Sequence, residues 1–149
     1  MTNGHLDVIQ RAGTLFDELI VAVAFNDQKH KSTLFSIDER IALLRETCAD
    51  IPSVRVVRLN GLLVEFAKQE KVTAIVRGLR AISDFEFEFQ MALMNRKMEP
   101  TVETIFMMPK EEYTYISSRI VKEIARLGGN VQPFVPDCVI RALAKKFLT

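Results

Sequence analysis

Net charge of either sign is what this sequence has least of. Its 149 residues carry 20 Lys and Arg against 19 Asp and Glu, a formal charge of +1, with no basic or acidic tail. Bulk attraction to nucleic acid or to an anionic membrane surface is therefore not implied. Cysteine is equally sparse. Cys48 and Cys138 are the only two, they lie in helix-like runs, and nothing around them has metal-ligand spacing. They read as two buried thiols in a reduced compartment. No apolar run approaches the length of a bilayer span, and no basic segment followed by an apolar one opens the chain, so the expected location is the cytoplasm. Repeats, low-complexity stretches and convincing linkers are also missing, and one domain over 1–149 is expected. What is present is ordinary globular composition, 48% hydrophobic and 26% charged, enough to bury a real core.

Apolar residues at Leu6, Ile9, Ala12, Leu15 and Phe16 repeat at helical spacing, and Thr2 or Asn3 can cap that helix. The run from Leu19 to Phe25 is short, apolar and valine-rich, the pattern of a strand buried on both faces. A polar loop follows over residues 26–33. Ser36 and Glu39 form a capping box that opens a helix with Ile37, Ile41, Leu44 and Cys48 along one face, ended by Pro52. Val54 to Leu59 reads as a second strand. After the Asn60-Gly61 turn come a short helix over 62–70 and a third strand, Thr73 to Val76. Phe85-Glu-Phe-Glu-Phe89 mimics a strand by its period of two. However, Ser83 and Glu86 suggest a capping box, and Phe85, Phe89, Ala92 and Leu93 continue at helical spacing, so a helix is expected to about Lys97. Met91, Met94 and Met98 on that helix read as packing residues or a subunit contact. A fourth strand spans Glu103 to Met108. A helix follows through Ile120, Val121, Ile124 and Leu127, stopped by Gly128-Gly129, and the last helix covers about Asp137 to Phe147. Strands and helices alternate, which argues for a parallel sheet covered on both faces.

Ligands of such a sheet bind where the strands end. The first strand is followed by Lys29, His30 and Lys31, the third by Arg77-Gly78-Leu79-Arg80, and the fourth by Tyr113 to Ser118. His5 stands at the tip of the first helix. Helix N-termini, cations and hydroxyls gathered on one edge suit a polyanion such as a nucleotide or phosphate ester. Each element has a plainer reading as well. His5 can be a surface residue, Lys29 a solvated lysine and Ser117 a cap. Arg77 and Arg80 can form structural ion pairs with Asp84 or Glu86, and Glu88 can be a solvated face residue.

Thr2-Asn-Gly-His5 resembles the T-x-G-H motif of nucleotidyltransferases related to class I aminoacyl-tRNA synthetases. Arg77-Gly-Leu-Arg80, Asp84-Phe-Glu-Phe-Glu88, Met94-Asn-Arg96, Tyr113-Thr-Tyr-Ile-Ser-Ser118 and Val121-Lys-Glu123 are similar, in order, to bacterial phosphopantetheine adenylyltransferases. That resemblance implies a Rossmann-like nucleotidyltransferase fold, a doubly wound parallel α/β sheet. It implies transfer of AMP from ATP to 4′-phosphopantetheine, giving dephospho-coenzyme A and pyrophosphate, with Mg²⁺ required. It also implies a cytoplasmic homohexamer inhibited by coenzyme A, with neither nucleic acid nor membrane as partner.

By the same resemblance, the catalytic residues are His5, Lys29 and Arg80. ATP is contacted by His5, Gly78, Leu79, Arg80, Glu88, Tyr113, Thr114, Tyr115, Ile116, Ser117, Ser118 and Arg119. The phosphopantetheine is held by Lys29, Leu63 and Arg77. Two departures stand out. Position 119 is Arg where the family more often has Ser or Thr. The family also opens with a strand and a G-T-F-D-P turn ahead of T-x-G-H, whereas this sequence starts at the motif. A central strand is therefore expected to be missing, with the edges of both its neighbours exposed. Two alternatives stay open: an inactive nucleotide-binding oligomer, and a sister nucleotidyltransferase acting on another phosphate ester.

Overall fold

The computed structural model describes residues 1–24, 33–80 and 82–147. Six helices and four strands alternate: α1 (Asn3–Gly13), β1 (Leu19–Ala24), α2 (Ile37–Thr47), β2 (Val54–Leu59), α3 (Leu63–Gln69), β3 (Ala74–Gly78), α4 (Ile82–Met98), β4 (Glu103–Met107), α5 (Ser118–Arg126) and α6 (Asp137–Phe147). A 3₁₀ turn, Glu111–Tyr113, precedes α5.

The fold is α/β with parallel strands, as the alternation predicts. Among the described residues the strands form two pairs: β1 runs parallel to β2 and β3 parallel to β4. Helix α1 packs on both β1 and β3 and so spans the two pairs. In a parallel ladder, alternate residues turn both backbone polar groups to the same side. The Leu19 amide donates to the Ser53 carbonyl at 2.8 Å, so Leu19 and Val21 face β2, and Ile20 and Ala22 face away from it. The Glu103 amide donates to the Thr73 carbonyl at 3.1 Å, which likewise turns Ala74 and Val76 away from β4. Residues of β1 and β3 line one cleft of about 820 Å³ that continues to the ends of the strands.

The core is distributed. Val23, Ile37, Ile41 and Val56 pack between α2 and the first pair. Ala67, Ile75 and Val102 join α3 to the second. Val121, Cys138, Val139 and Leu143 seal α5 against α6. Local chemistry sets the boundaries. The Ser36–Glu39 capping box closes as expected, the Ser36 amide donating to Glu39 Oε2 at 2.7 Å and the Glu39 amide to Ser36 Oγ at 3.2 Å. Gly128, at φ +75°, ends α5, and the Gly129 amide returns to the Ile124 carbonyl at 2.9 Å.

One expectation about α4 needs correction, and another narrows to one of its two alternatives. The helix starts at Ile82, so Ser83 falls inside its first turn instead of at its cap. Met91, Met94 and Met98 are exposed and join no core cluster of the described residues, which leaves the subunit-contact reading, and Phe87 and Leu93 are exposed as well. Helical spacing gathers apolar residues, but on α4 they lie nearly all round the helix, more than one sheet face can cover. Phe85 is held from two sides: its ring stacks on Phe89, one turn on, at 5.5 Å between centroids, and meets Phe106 of β4 edge-on at 6.3 Å.

Candidate active site

The first turn of α1 is a capping box with an unusual third member. Thr2 is the N-cap, and His5 occupies the position that Glu or Gln usually fills. The Thr2 amide donates to His5 Nδ1 at 3.3 Å, and Thr2 Oγ1 lies 2.7 Å from the same nitrogen. Between them, Gly4 allows close approach. A Cβ there would meet Tyr113 Cβ at 3.3 Å and the Tyr113 carbonyl at 3.5 Å, so the start of α1 can lie directly against the 3₁₀ turn. The Asn3 amide donates to the Phe134 carbonyl at 2.8 Å, fixing the same turn to the C-terminal part of the chain.

From this anchor His5 lines the cleft, opposite the end of β3 and the start of α5. Arg77 and Gly78 close β3, and Arg80 follows. Arg77 is held by a bidentate pair, Nε to Glu88 Oε2 at 2.7 Å and Nη2 to Oε1 at 2.6 Å, and these bonds raise its already high pKa further. Arg80 donates through Nε to Asp84 Oδ2 at 3.0 Å and through Nη1 to the Ile116 carbonyl at 3.0 Å. Ser117 caps α5, accepting the Ile120 amide at 3.1 Å. The N-termini of α1 and α5 therefore open onto the same cleft as two guanidiniums, an arrangement suited to a polyanion.

The cleft gathers His5, Leu63, Arg77, Gly78, Arg80, Glu88, Ser117, Ser118 and Arg119. Lys29 lies outside the described residues. Leu79 turns its amide to the Met107 carbonyl at 3.0 Å and does not line the cleft. Nor do the four residues from Tyr113 to Ile116. Tyr113 backs Gly4, Thr114 Oγ1 bonds to the Glu111 carbonyl at 2.7 Å, Tyr115 projects into solvent, and Ile116 is buried among α5 and α6 side chains. Asp7 is a residue that sequence reasoning passed over. It is 4% exposed, accepts the Lys110 amide at 3.0 Å, and pairs with Arg11 Nη1 at 3.4 Å. It thereby ties α1 to the segment after β4. A carboxylate one turn into an apolar helix face is the signal that could have found it, because it must be paired if buried.

His5 has its pKa lowered to about 4, first by removal from bulk water, then by the N-terminal ammonium and Arg80. Water still reaches the ring along the cleft, which weakens the first contribution without changing the sign. The ring is neutral at pH 7. An unfolded histidine titrates near 6.5, so between pH 6.5 and 4 the unfolded chain binds a proton that the native chain does not. This group's contribution to stability is whole above 6.5 and is lost as pH falls to 4. Denaturant melts of wild type and His5→Gln should show the variant with the flatter slope across that window. Parallel slopes would contradict the shift.

The cytidylyltransferase-like family matches residues 1–124, which hold every element of the cleft. Phosphopantetheine adenylyltransferases align over 99% of the chain. That of Caldanaerobacter subterraneus subsp. tengcongensis is 55% identical, with 91% of its own length covered. Those of Thermodesulfovibrio yellowstonii and Alkalilimnicola ehrlichii are each 52% identical, with 91% and 84% covered. The chain belongs to the phosphopantetheine adenylyltransferase family. Within that family's frame, the T-x-G-H motif takes on physical content here. Its threonine caps α1, its glycine admits the 3₁₀ turn, and its histidine completes the cap while facing the cleft.

Proposed function

We propose that this chain transfers AMP from ATP to 4′-phosphopantetheine, forming dephospho-coenzyme A and pyrophosphate. The observation that carries the reading is the convergence of two helix N-termini, His5 and Arg80 on one cleft, in a chain whose relatives bear that activity in their names. A phosphopantetheine phosphate oxygen attacks the α-phosphorus of ATP. The new P–O bond forms as the bond to the pyrophosphate bridging oxygen breaks, and pyrophosphate leaves. The attacking phosphate is already ionised, so no general base is needed. What is needed is in-line placement and neutralisation of developing charge.

His5 donates to the reacting phosphates, Arg80 and the α5 N-terminus hold the ATP phosphates, and Arg77 and Lys29 hold the acceptor phosphate. Leu63 lines the pantetheine arm, and Gly78, Glu88 and residues 117–119 surround the adenylate. Among the described residues no three acidic, His or Cys side chains group around a possible metal. Mg²⁺ would arrive as the ATP complex, because Mg²⁺ is ordinarily held by substrate phosphates with few protein ligands. It supplies charge neutralisation on the phosphates. The exposed apolar face of α4 supports assembly into a homohexamer. Feedback inhibition by coenzyme A and a cytoplasmic location complete the proposal.

Incubation with labelled pyrophosphate, dephospho-coenzyme A and Mg²⁺ should yield labelled ATP by the reverse reaction. A preparation that binds ATP and coenzyme A in calorimetry but forms no labelled ATP would overturn transfer and leave a nucleotide-binding protein. Labelled ATP formed only with another phosphate-ester adenylate would point to a sister enzyme.

A further inference from the structure

The cap of α1 constrains which nitrogen of His5 can carry its proton. A backbone N–H donates and cannot accept, and the Thr2 amide points at His5 Nδ1 from 3.3 Å. Thr2 Oγ1, 2.7 Å from the same atom, can supply a second donor. Nδ1 is thus an acceptor on both counts, and the proton of the neutral ring sits on Nε2. Protonating Nδ1 would turn it toward the amide as donor against donor. The hydroxyl could reverse to accommodate this, but the amide could not. Thr2 itself is fixed: it is 2% exposed and sits at the base of a helix held by Asn3 and Asp7.

We propose that Thr2 is a positioning residue that locks His5 as the neutral Nε2–H tautomer, so that His5 presents a hydrogen-bond donor, not an imidazolium acid, to phosphate in the cleft. This rests on the reading of His5 as a phosphate-facing group. The low pKa of His5 agrees with it, since the neutral ring is then the resident form at neutral pH. The same logic separates the parts of the cap. The amide selects the tautomer, and the hydroxyl orients the ring and sharpens that choice. The donor is in place before substrate arrives, which is how a preorganised site stabilises charge without reorienting.

The test is long-range ¹H–¹⁵N correlation on the full chain labelled at histidine, with His5→Gln used to assign the His5 signals. At pH 7 wild type should show the His5 proton on Nε2, and added inorganic pyrophosphate should move Nε2 and leave Nδ1 an acceptor. Thr2→Ser keeps the hydroxyl and should preserve the tautomer. Thr2→Val removes the hydroxyl and keeps the amide, so Nδ1 should remain the acceptor while the less firmly held ring lowers kcat for adenylyl transfer about tenfold, with KM for ATP within about twofold. A wild-type proton on Nδ1, a charged ring at pH 7, or an unchanged kcat in Thr2→Val would each overturn the proposal, and the first two need no variant at all. The Nε2–H tautomer without any adenylyl transfer would uphold the role of Thr2 and count against the proposed reaction instead.

Discussion

Replacing His5 by alanine is expected to lower kcat by about 10²- to 10³-fold, the usual consequence of deleting one preorganised donor, while KM for ATP moves by less than about threefold. The reason is timing. Charge shifts onto the pyrophosphate oxygens as the bond to the α-phosphorus breaks, so a donor aimed there gains most in the transition state. Alanine also deletes the acceptor for the Thr2 amide, and loss of a cap of this kind costs roughly 1 kcal/mol of stability. His5→Gln separates the two effects. Glutamine is a normal occupant of the third position of a capping box, so it restores the helix start without restoring the ring. Steady-state kinetics on both variants should show the same collapse of kcat, with only the alanine variant losing thermal stability. A KM-dominated defect, or near-normal kcat in His5→Gln, would show that His5 serves the helix and not the reaction.

Arg77→Ala should raise KM for 4′-phosphopantetheine by about 10- to 100-fold, the value of one charge-assisted contact, and change KM for ATP several-fold less. The structure complicates this substitution in a useful way. Arg77 is bonded at both ends to Glu88, whose side chain is only 13% exposed. Removing the guanidinium strands that carboxylate, so the single variant should also lose stability. Arg77→Ala combined with Glu88→Gln removes the stranded charge. Thermal stability should then recover while the phosphopantetheine KM stays high. Recovery of both would mean that Arg77 only neutralises Glu88, and equal losses for the two substrates would remove it from the acceptor site.

Much of the fold was legible because its punctuation is local. The bounds of β2 and α6 agree with the sequence reading because Pro52 and Asp137 mark their approaches, and the Ser36–Glu39 box announces α2 outright. Thr2 was legible as a cap of α1, but apolar periodicity does not reveal that histidine does the work of glutamate in that cap. Ser83 misled, since a Ser-x-x-Glu spacing also occurs inside a helix. At the site, the residue types after each strand were readable, but their partners were not. Arg77 finds Glu88 eleven positions on, and Asp7 finds the Lys110 amide 103 positions away. Such pairings depend on how elements stack, which no window of periodicity contains. The loop over Tyr113 to Ile116 shows the same limit: the residues sit beside the cleft, but their side chains are spent on Gly4, Glu111, solvent and the core.

The two thiols offer something else. The chain has no tryptophan, so the usual fluorescence signal of unfolding is missing, but Cys48 and Cys138 are 5% and 7% exposed and lie at the junction of α2 with α6. Thr47 Oγ1 sits 3.1 Å from Cys138 Sγ, and burial raises the Cys48 thiol above its ordinary pKa. Neither sulfur is open to a labelling reagent until those helices part. The pace of thiol labelling in the native protein is therefore a clock for the opening of the α2–α6 seam, read without adding any probe to the chain.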